Sequence, residues 1–511
     1  MTLALNRRVG IRLAIGIAIA ASGVRAETAS PTSCEKLAAL ALPQATITSA
    51  EVVAPGAFKA PGRGGRGAEI YNALPAFCRV AATLTPSTDS DIKIEVWLPA
   101  STWNGKLEAV GNGGWAGVIS YPALAAAVTA GYAGVSTDTG HVGGTASFAV
   151  GHPEKLIDLA YRSQHEMTVK AKAIIEAHYG TAAKASYWNG CSQGGRQGLA
   201  EAQKYPEDFE GIIAGAAAWN QAELHLGRLA LNTYVNRSAD SNIPQSKYRM
   251  VHDAVLNACD ALDGVKDGVI EDPGRCKFDP KTIQCEGADG PSCLTAAQVE
   301  TARALYAPIK SPRSGAGLYP ALQRGSELAW NVTGGPQPVG TALEAFKYVV
   351  FGDPSWDWRR FDLETDFDKT VRAFEVIETS ETNLKPFFSR GGKLLMYHGW
   401  NDTQVAPQQS PKYFEAVVAK SGRSVVGKSI QLYMVPGMNH CAGGDGTDTF
   451  DKMAAMERWA ASGKAPESIV ASHITSGKVD RTRPLCPYGK VARWKGTGTT
   501  DDAANFACVA R

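Results

Sequence analysis

The residues able to do chemistry sit in short glycine-rich settings. The stretch Tyr187-Trp188-Asn189-Gly190-Cys191-Ser192-Gln193-Gly194-Gly195 joins an apolar run to a helical one, with Gly190, Ser192 and Gly194 in G-x-S-x-G spacing. Such a turn lifts the serine hydroxyl to a helix N-terminus, and its glycines are needed where strand, turn and helix crowd together. A serine hydroxyl becomes a good nucleophile only when a base takes its proton and a carboxylate orients that base. Because five residues of this kind also occur by chance in ordinary surface turns, the partners decide the reading. Asp402 follows the apolar run 393–398 in His398-Gly399-Trp400-Asn401-Asp402, and His440 follows the run 430–435 in Pro436-Gly437-Met438-Asn439-His440-Cys441. Alone, Asp402 reads as a turn former and His440 as a structural histidine; as an ordered set with Ser192 they read as nucleophile, orienting acid and base.

The flanking cysteines add a geometric relation. Cys191 precedes Ser192 and Cys441 follows His440, so if the serine and histidine lie within hydrogen-bond reach, their neighbours fall within the ~4.4–6.8 Å Cα separation of a disulfide. A Cys191–Cys441 pair is therefore expected. The rival is Cys191 as nucleophile, but it sits one residue out of elbow register. Gly111-Asn112-Gly113-Gly114-Trp115 follows another apolar run. Its amides could form part of an oxyanion hole, or the segment could be a glycine turn without chemistry.

The elements that must position these residues alternate. Apolar runs at 92–98, 107–110 and 132–136 read as strands, the first an edge or early strand by its period of two. A long helix is expected over 152–178, in which His165 reads as an ordinary helix residue. After the elbow a helix runs over 196–205 to Pro206, and 211–215 is a buried strand. Strands alternating with helices imply an α/β fold with a mainly parallel sheet, and the chain order Ser, Asp, His is that of the α/β-hydrolases. From about 219 to 385 the alternation stops, and that stretch reads as a large inserted lid domain above the catalytic edge. The expected division is a signal peptide over 1–26, a first part of the core over 27–218, the lid over 219–385 and a second part of the core over 386–511.

With 511 residues, 44% hydrophobic and 20% charged, the chain has ample material for a large core. Arg7, Arg8 and Arg12 precede an apolar run, and Val24-Arg25-Ala26 offers a cleavage site, so export to a secreted or periplasmic location is expected. The run is shorter than the ~20 residues of a span, so no membrane anchor is expected after removal of the signal. Losing Arg7, Arg8, Arg12 and Arg25 takes the 52 basic residues to 48 against 50 acidic, and the formal charge from +2 to −2. With no clustered basic face, a nucleic-acid partner is not expected. Ten cysteines in an exported chain imply disulfides.

Gly190-Cys191-Ser192-Gln193-Gly194-Gly195, His398-Gly399-Trp400-Asn401-Asp402 and Asn439-His440-Cys441, with a lid between the first two, resemble the tannase and feruloyl esterase family, which includes mono(2-hydroxyethyl) terephthalate hydrolases. The resemblance covers nearly the whole mature chain. It implies a serine esterase with the triad Ser192, Asp402 and His440, and an oxyanion hole from the amides of Gln193 and of Gly114 or its neighbour Gly113. The stretch Cys259-Asp260-Ala261-Leu262-Asp263-Gly264-Val265-Lys266-Asp267-Gly268-Val269 could by itself be a solvated acidic turn or an oxygen-donor loop, and it lacks the EF-hand spacing. The resemblance implies a structural Ca²⁺ in the lid, held by the carboxylates of Asp260, Asp263 and Asp267 and the carbonyls of Val265 and Val269. It also implies the pairs Cys259–Cys276, Cys285–Cys293, Cys34–Cys78 and Cys486–Cys508.

The partner implied is a small ester of an aromatic acid, of feruloyl, hydroxycinnamoyl or galloyl type. Tyr319, Trp330, Phe346, Tyr348, Phe351, Trp356 and Trp358 could cover a flat acyl group or simply form the lid core. No Arg or Lys lies within 328–346, which favours an uncharged acyl group over a terephthalate monoester. A lipase or peptidase on the same triad, and a non-catalytic binding protein that keeps the fold, stay open.

Overall fold

The computed structural model describes residues 31–61 and 68–511; the expected signal peptide, 1–26, lies outside them. The centre is a nine-stranded sheet. Its strands are β1 (Ala45–Val53), β2 (Phe77–Leu84), β3 (Ile92–Pro99), β4 (Lys106–Val110), β5 (Ala133–Thr137), β6 (Ala185–Cys191), β7 (Gly211–Gly215), β8 (Lys393–Gly399) and β9 (Ile430–Val435). In space they run β1-β2-β3-β5-β4-β6-β7-β8-β9. From β5 to β9 every neighbour is parallel, while β1, β2, β3 and β5 pair antiparallel. The parallel strands are almost wholly buried and mostly apolar on both faces, as covered parallel strands tend to be, with Ser136, Thr137, His398 and Gln431 as buried polar exceptions.

One strand departs from its expected place. β3 lies inside the sheet, and Glu95 and Trp97, on the face read as polar, are buried. Their period of two reports a polar lining, not solvent: Glu95 takes both Arg79 Nε (2.9 Å) and Nη2 (2.6 Å), the Trp97 indole N–H (2.9 Å) and the Tyr121 hydroxyl (3.0 Å).

Helices cover the sheet. Those that matter here are α1 (Tyr121–Thr129), α2 (Ser163–Tyr179), α3 (Gln193–Lys204) and α4 (Gln221–Val235). The single helix expected over 152–178 is in fact a short helix, Pro153–Ile157, a π-turn, Asp158–Arg162, and then α2, which Gly180 ends with φ 69°. The π-turn frees carbonyls that Arg196 of α3 collects. This fully buried guanidinium donates to Leu159 O (3.3 Å), Ala160 O (2.8 Å) and, across the fold, Ile377 O (3.1 Å). Burial lowers its pKa to about 10, with Glu378 and Glu201 opposing the fall.

Between β7 and β8 the chain adds no strand to the large sheet. The segment leaves and returns at one point, where Trp219 O accepts from Thr379 N (3.1 Å) and Oγ1 (3.0 Å). It buries apolar residues in two clusters, one around Phe346, Trp356, Trp358, Phe361 and Phe374 that also takes in Trp115, Ala146, Leu159 and Ala160 of the preceding core, another around Val251, Leu305 and Trp330. After β9 come two hairpins, Ile469–Thr475 with Lys478–Leu485, and Lys490–Trp494 with Phe506–Ala510. Five disulfides close the chain: Cys34–Cys78, Cys191–Cys441, Cys259–Cys276, Cys285–Cys293 and Cys486–Cys508.

Arg196→Met should cost about 2–4 kcal/mol of stability, because it takes this donor from the buried Ala160 and Ile377 carbonyls, while Leu159 O keeps the Gln164 side-chain amide (3.2 Å). Urea unfolding followed by far-UV circular dichroism measures this, and an unchanged midpoint would show that the π-turn does not depend on Arg196.

Candidate active site

Ser192 sits between β6 and α3 with φ 62° and ψ −123°, a conformation that side chains other than glycine rarely adopt. Sharp reversal is possible because Gly190 lets the first turn of α3 fold back: a Cβ there would lie 2.4 Å from Gly194 O. The Ser192 amide donates to Gly215 O (2.9 Å), which fixes the turn to β7, and its side chain makes no capping bond to α3. The hydroxyl is therefore not engaged by its own helix. Gln193 begins α3, and its amide has no carbonyl one turn before it to bond.

Asp402 and His440 follow the C-terminal ends of β8 and β9. The Asp402 carboxylate is wholly buried and accepts His440 Nδ1 at 2.6 Å. Its other oxygen takes the amides of Gln404 (2.7 Å) and Val405 (3.0 Å). Burial opposes the charge, but the His440 and His398 imidazoles outweigh it and hold the carboxyl well below the usual carboxylate range. Gly399 is needed here because the two loops nearly touch: a Cβ would lie 2.1 Å from Met438 O.

Ser192 and His440 face one cavity of about 350 Å³, whose wall also holds Gly113, Gly114, Gln193, Cys191 and Cys441. The Cys191–Cys441 bond, with Cα atoms 6.0 Å apart, ties the two sides together. Gly114 has φ 52°, a conformation that favours glycine, and the lid residue Thr341 stands 3.2 Å from where its Cβ would be, so the neighbour adds a tight contact. Thus Ser192, His440, Gln193 and Gly113-Gly114 share this wall, and Asp402 stands behind His440.

Several residues of the site escaped the sequence reading. His398 Nε2 donates to Asp402 Oδ2 (2.9 Å) and Val405 O (3.0 Å), and its Nδ1 accepts from Ser410 Oγ (2.8 Å), so a second imidazole braces the acid. Its i, i+4 spacing from Asp402 was the available signal. Trp115, Gln221, Leu224, His225, Arg228, Thr341 and Gln404 complete the wall. Burial, together with the neighbouring Arg228 charge, holds His225 well below its ordinary range. The Arg228 guanidinium donates to Gln404 O (2.8 Å) and Thr341 Oγ1 (3.0 Å). The lid rings proposed as a possible acyl cover do not line the cavity: Trp330 is buried in a lid cluster, Phe346, Trp356 and Trp358 are buried in a cluster that they share with Trp115, and Trp115 is the ring on the cavity. Large rings bury most area by packing on one another, so their density reported a core.

The acidic loop lies apart from this cavity. Asp263, Val265, Asp267, Val269 and Glu271 surround a void of about 20 Å³, room for one water or ion. Asp260 is not on that wall; its two oxygens brace the loop by accepting the amides of Asp267 (3.2 Å) and Gly268 (3.0 Å). Asp263 is pushed up to about 6, chiefly by burial and further by the Asp267 and Asp260 charges. Asp267 also pairs with Arg483 of a C-terminal hairpin. The oxygen donors suit a hard cation, while Arg481 and Arg483 line the same void and offset part of the acidic charge.

A mainly parallel sheet, a strained serine at the turn from β6 into α3, and an acid and histidine after β8 and β9 define an α/β hydrolase. The family model for tannase and feruloyl esterase matches residues 78–509. An uncharacterized esterase of Xanthomonas campestris pv. campestris is 36% identical, over 96% of this chain and 94% of its own. A probable feruloyl esterase B-2 of Aspergillus terreus is 33% identical, over 87% and 88%. The crystal structure of feruloyl esterase B from Aspergillus oryzae superposes with a TM-score of 0.85 at 31% identity, covering 93% of this chain and 99% of that one. The chain belongs to the tannase and feruloyl esterase family and is a carboxylic ester hydrolase.

Replacing Cys191 and Cys441 together by alanine should lower kcat more than stability. The bond positions two sides of the cavity, where ~1 Å of misplacement costs about a hundredfold, against the ~2–4 kcal/mol typical of a disulfide. Full turnover in a folded double mutant would make the bond purely stabilising.

Proposed function

We propose that this chain is an exported serine esterase that cleaves esters of aromatic acids through an acyl-enzyme. The observation that carries it is the single cavity faced by Ser192 and by His440, with His440 held by a buried, ionised Asp402. In this reading His440 takes the Ser192 proton as Oγ attacks the ester carbonyl. The tetrahedral oxyanion is held by the amide of Gln193 and that of Gly114 or Gly113, and the proton passes from His440 to the departing alcohol. Water, activated by the same histidine, then releases the acid. Asp402 fixes the imidazole by its bond to Nδ1, which leaves Nε2 for the serine.

The aromatic acyl preference is supported by the relatives' names and by Trp115 and Leu224 on the cavity wall. A second reading, a terephthalate monoester with its free carboxylate, draws support from Arg228, a cation on the same wall with no carboxylate among its hydrogen-bond partners. Export is supported by the leader and the five disulfides. No helix among the described residues is long and apolar enough to cross a membrane. Calcium, in this proposal, is bound by the loop of Asp260, Asp263, Val265, Asp267 and Val269, where it neutralises carboxylates that otherwise repel. It takes no part in bond cleavage.

Ser192→Ala should reduce turnover on the order of 10⁴-fold or more while the fold is retained; near-normal turnover would sink the nucleophile assignment. On the wild type, kcat/KM for methyl ferulate or a gallate ester should exceed that for a terephthalate monoester or a medium-chain alkanoate. Preference for the monoester would establish the second reading, and preference for the alkanoate would refute both. Removing calcium with a chelator should lower the melting temperature, and restoring it should reverse the loss by mass action. A protein that carries no calcium when purified, and whose melting ignores both treatments, contradicts the metal proposal.

A further inference from the structure

On the side of α3 away from the cavity, three residues from three segments meet. His165 lies in the first turn of α2, Glu201 in the last turn of α3, and Asp208 in the turn that follows. One ligand atom from each lies within 4.8 Å of the other two. Among the described residues no other trio of His, Cys, Asp or Glu does so. His165 Nδ1 is 2.7 Å from Asp208 Oδ2, and the ring is held flat against Tyr205, 3.7 Å between centroids.

Glu201 is the unusual member. It is completely buried, and neither carboxylate oxygen receives a hydrogen bond. Burial pushes its carboxyl well above the ordinary range, and the Asp208 charge and the hydrogen bond of a proton shared with Asp208 add to the rise, while Lys172 opposes it. Lys172 does not neutralise the pair closely: its ammonium donates to the Asp208 carbonyl and stands 3.9 Å from the nearest Asp208 carboxylate oxygen. Two buried carboxyl groups side by side require either a shared proton or a cation. A proton would serve one Glu201 oxygen and leave the other without a partner. An ion ligated by the carboxylate could engage both, and it would also recruit the imidazole.

We propose that His165, Glu201 and Asp208 form a site for one divalent transition ion of the zinc type, tying α2 to the far end of the helix that begins at Ser192. One imidazole nitrogen and two carboxylates form a donor set for such ions, distinct from the all-oxygen loop in the lid. The His165 side chain is 24% exposed, so the site is reached from solvent on the imidazole side. On binding, the ion displaces the proton held by the Glu201–Asp208 pair, which goes to solvent, and the imidazole coordinates in its neutral form. Glu201 is nine residues beyond Ser192, about 13 Å along the helix axis, so the ion acts on stability and not on the ester.

The test uses the mature protein, stripped by chelator, returned to excess Ca²⁺ so that the lid loop is satisfied, and then equilibrated with Zn²⁺ and desalted. Elemental analysis should find one zinc per chain in the wild type and none in Glu201→Gln or His165→Ala. Zinc should raise the melting temperature of the wild type alone. His165→Ala removes a partly exposed side chain, so it remains informative if Glu201→Gln fails to fold. Esterase turnover of folded variants, with Ca²⁺ present, should match the wild type. No zinc retained by the wild type would overturn the site and leave the two carboxyl groups sharing a proton. Equal zinc in the wild type and the folded variants would overturn it in favour of adventitious binding elsewhere.

Discussion

The site depends on one oxygen. Asp402 Oδ2 accepts from His440 at 2.6 Å and from His398 at 2.9 Å, in a place with no solvent contact. A carboxylate there would be expensive to ionise by burial alone; two imidazoles and two backbone amides on the other oxygen reverse the balance. The second histidine ties the acid to the body of the protein, since Ser410, which bonds its other nitrogen, lies at the start of the helix Gln409–Ser421. His440 therefore meets an anion whose position is already decided.

The insertion is as necessary to that anion as the sheet. The loop after β8 is held from the lid by Asn401 Nδ2 to Gly325 O (2.7 Å), Thr403 Oγ1 to Ala329 O (3.0 Å), Ala406 N to Tyr319 Oη (2.9 Å) and Arg228 Nε to Gln404 O (2.8 Å). The same segment supplies Gln221, Leu224, His225, Arg228 and Thr341 to the cavity wall. At its far side the acidic loop meets the C-terminal hairpins through Arg483 to Asp267, Ala492 N to Glu271 (2.6 Å) and Arg511 to Asp272 (2.9 Å). A cation in that loop would stiffen the join between lid and hairpins, and it would do so away from the cavity.

Two of the strained residues lie at the site. Ser192 and Cys441 both hold positive φ without being glycine, at 62° and 65°; Ser192 follows one half of the disulfide between the two candidate catalytic loops, and Cys441 is its other half. Such conformations cost on the order of 1–3 kcal/mol each. The covalent bond and the buried strands beneath hold them in place.

What the sequence determined by itself was local and chemical. The elbow needs glycines around Ser192, and the runs before Ser192, Asp402 and His440 are apolar because parallel strands are covered on both faces. Adjacency of Cys191 to the serine and Cys441 to the histidine made their pairing predictable. The break in alternation after residue 218 exposed the insertion. The period of two in β3 was visible too, but not its meaning: alternation marks two environments and cannot tell water from the carboxylate–guanidinium lining of Glu95 and Arg79. Only the tertiary structure decided which distant residues share a wall. Arg228 and Thr341 reach the cavity from a lid whose own periodicity says nothing of its docking. The lid rings turned inward because aromatic area is buried most cheaply against other rings. His398 became a partner of Asp402, and His165 a neighbour of Glu201 and Asp208, because the path of the backbone brings those residues together. Contacts made across the fold are set by packing, and local composition carries no record of them.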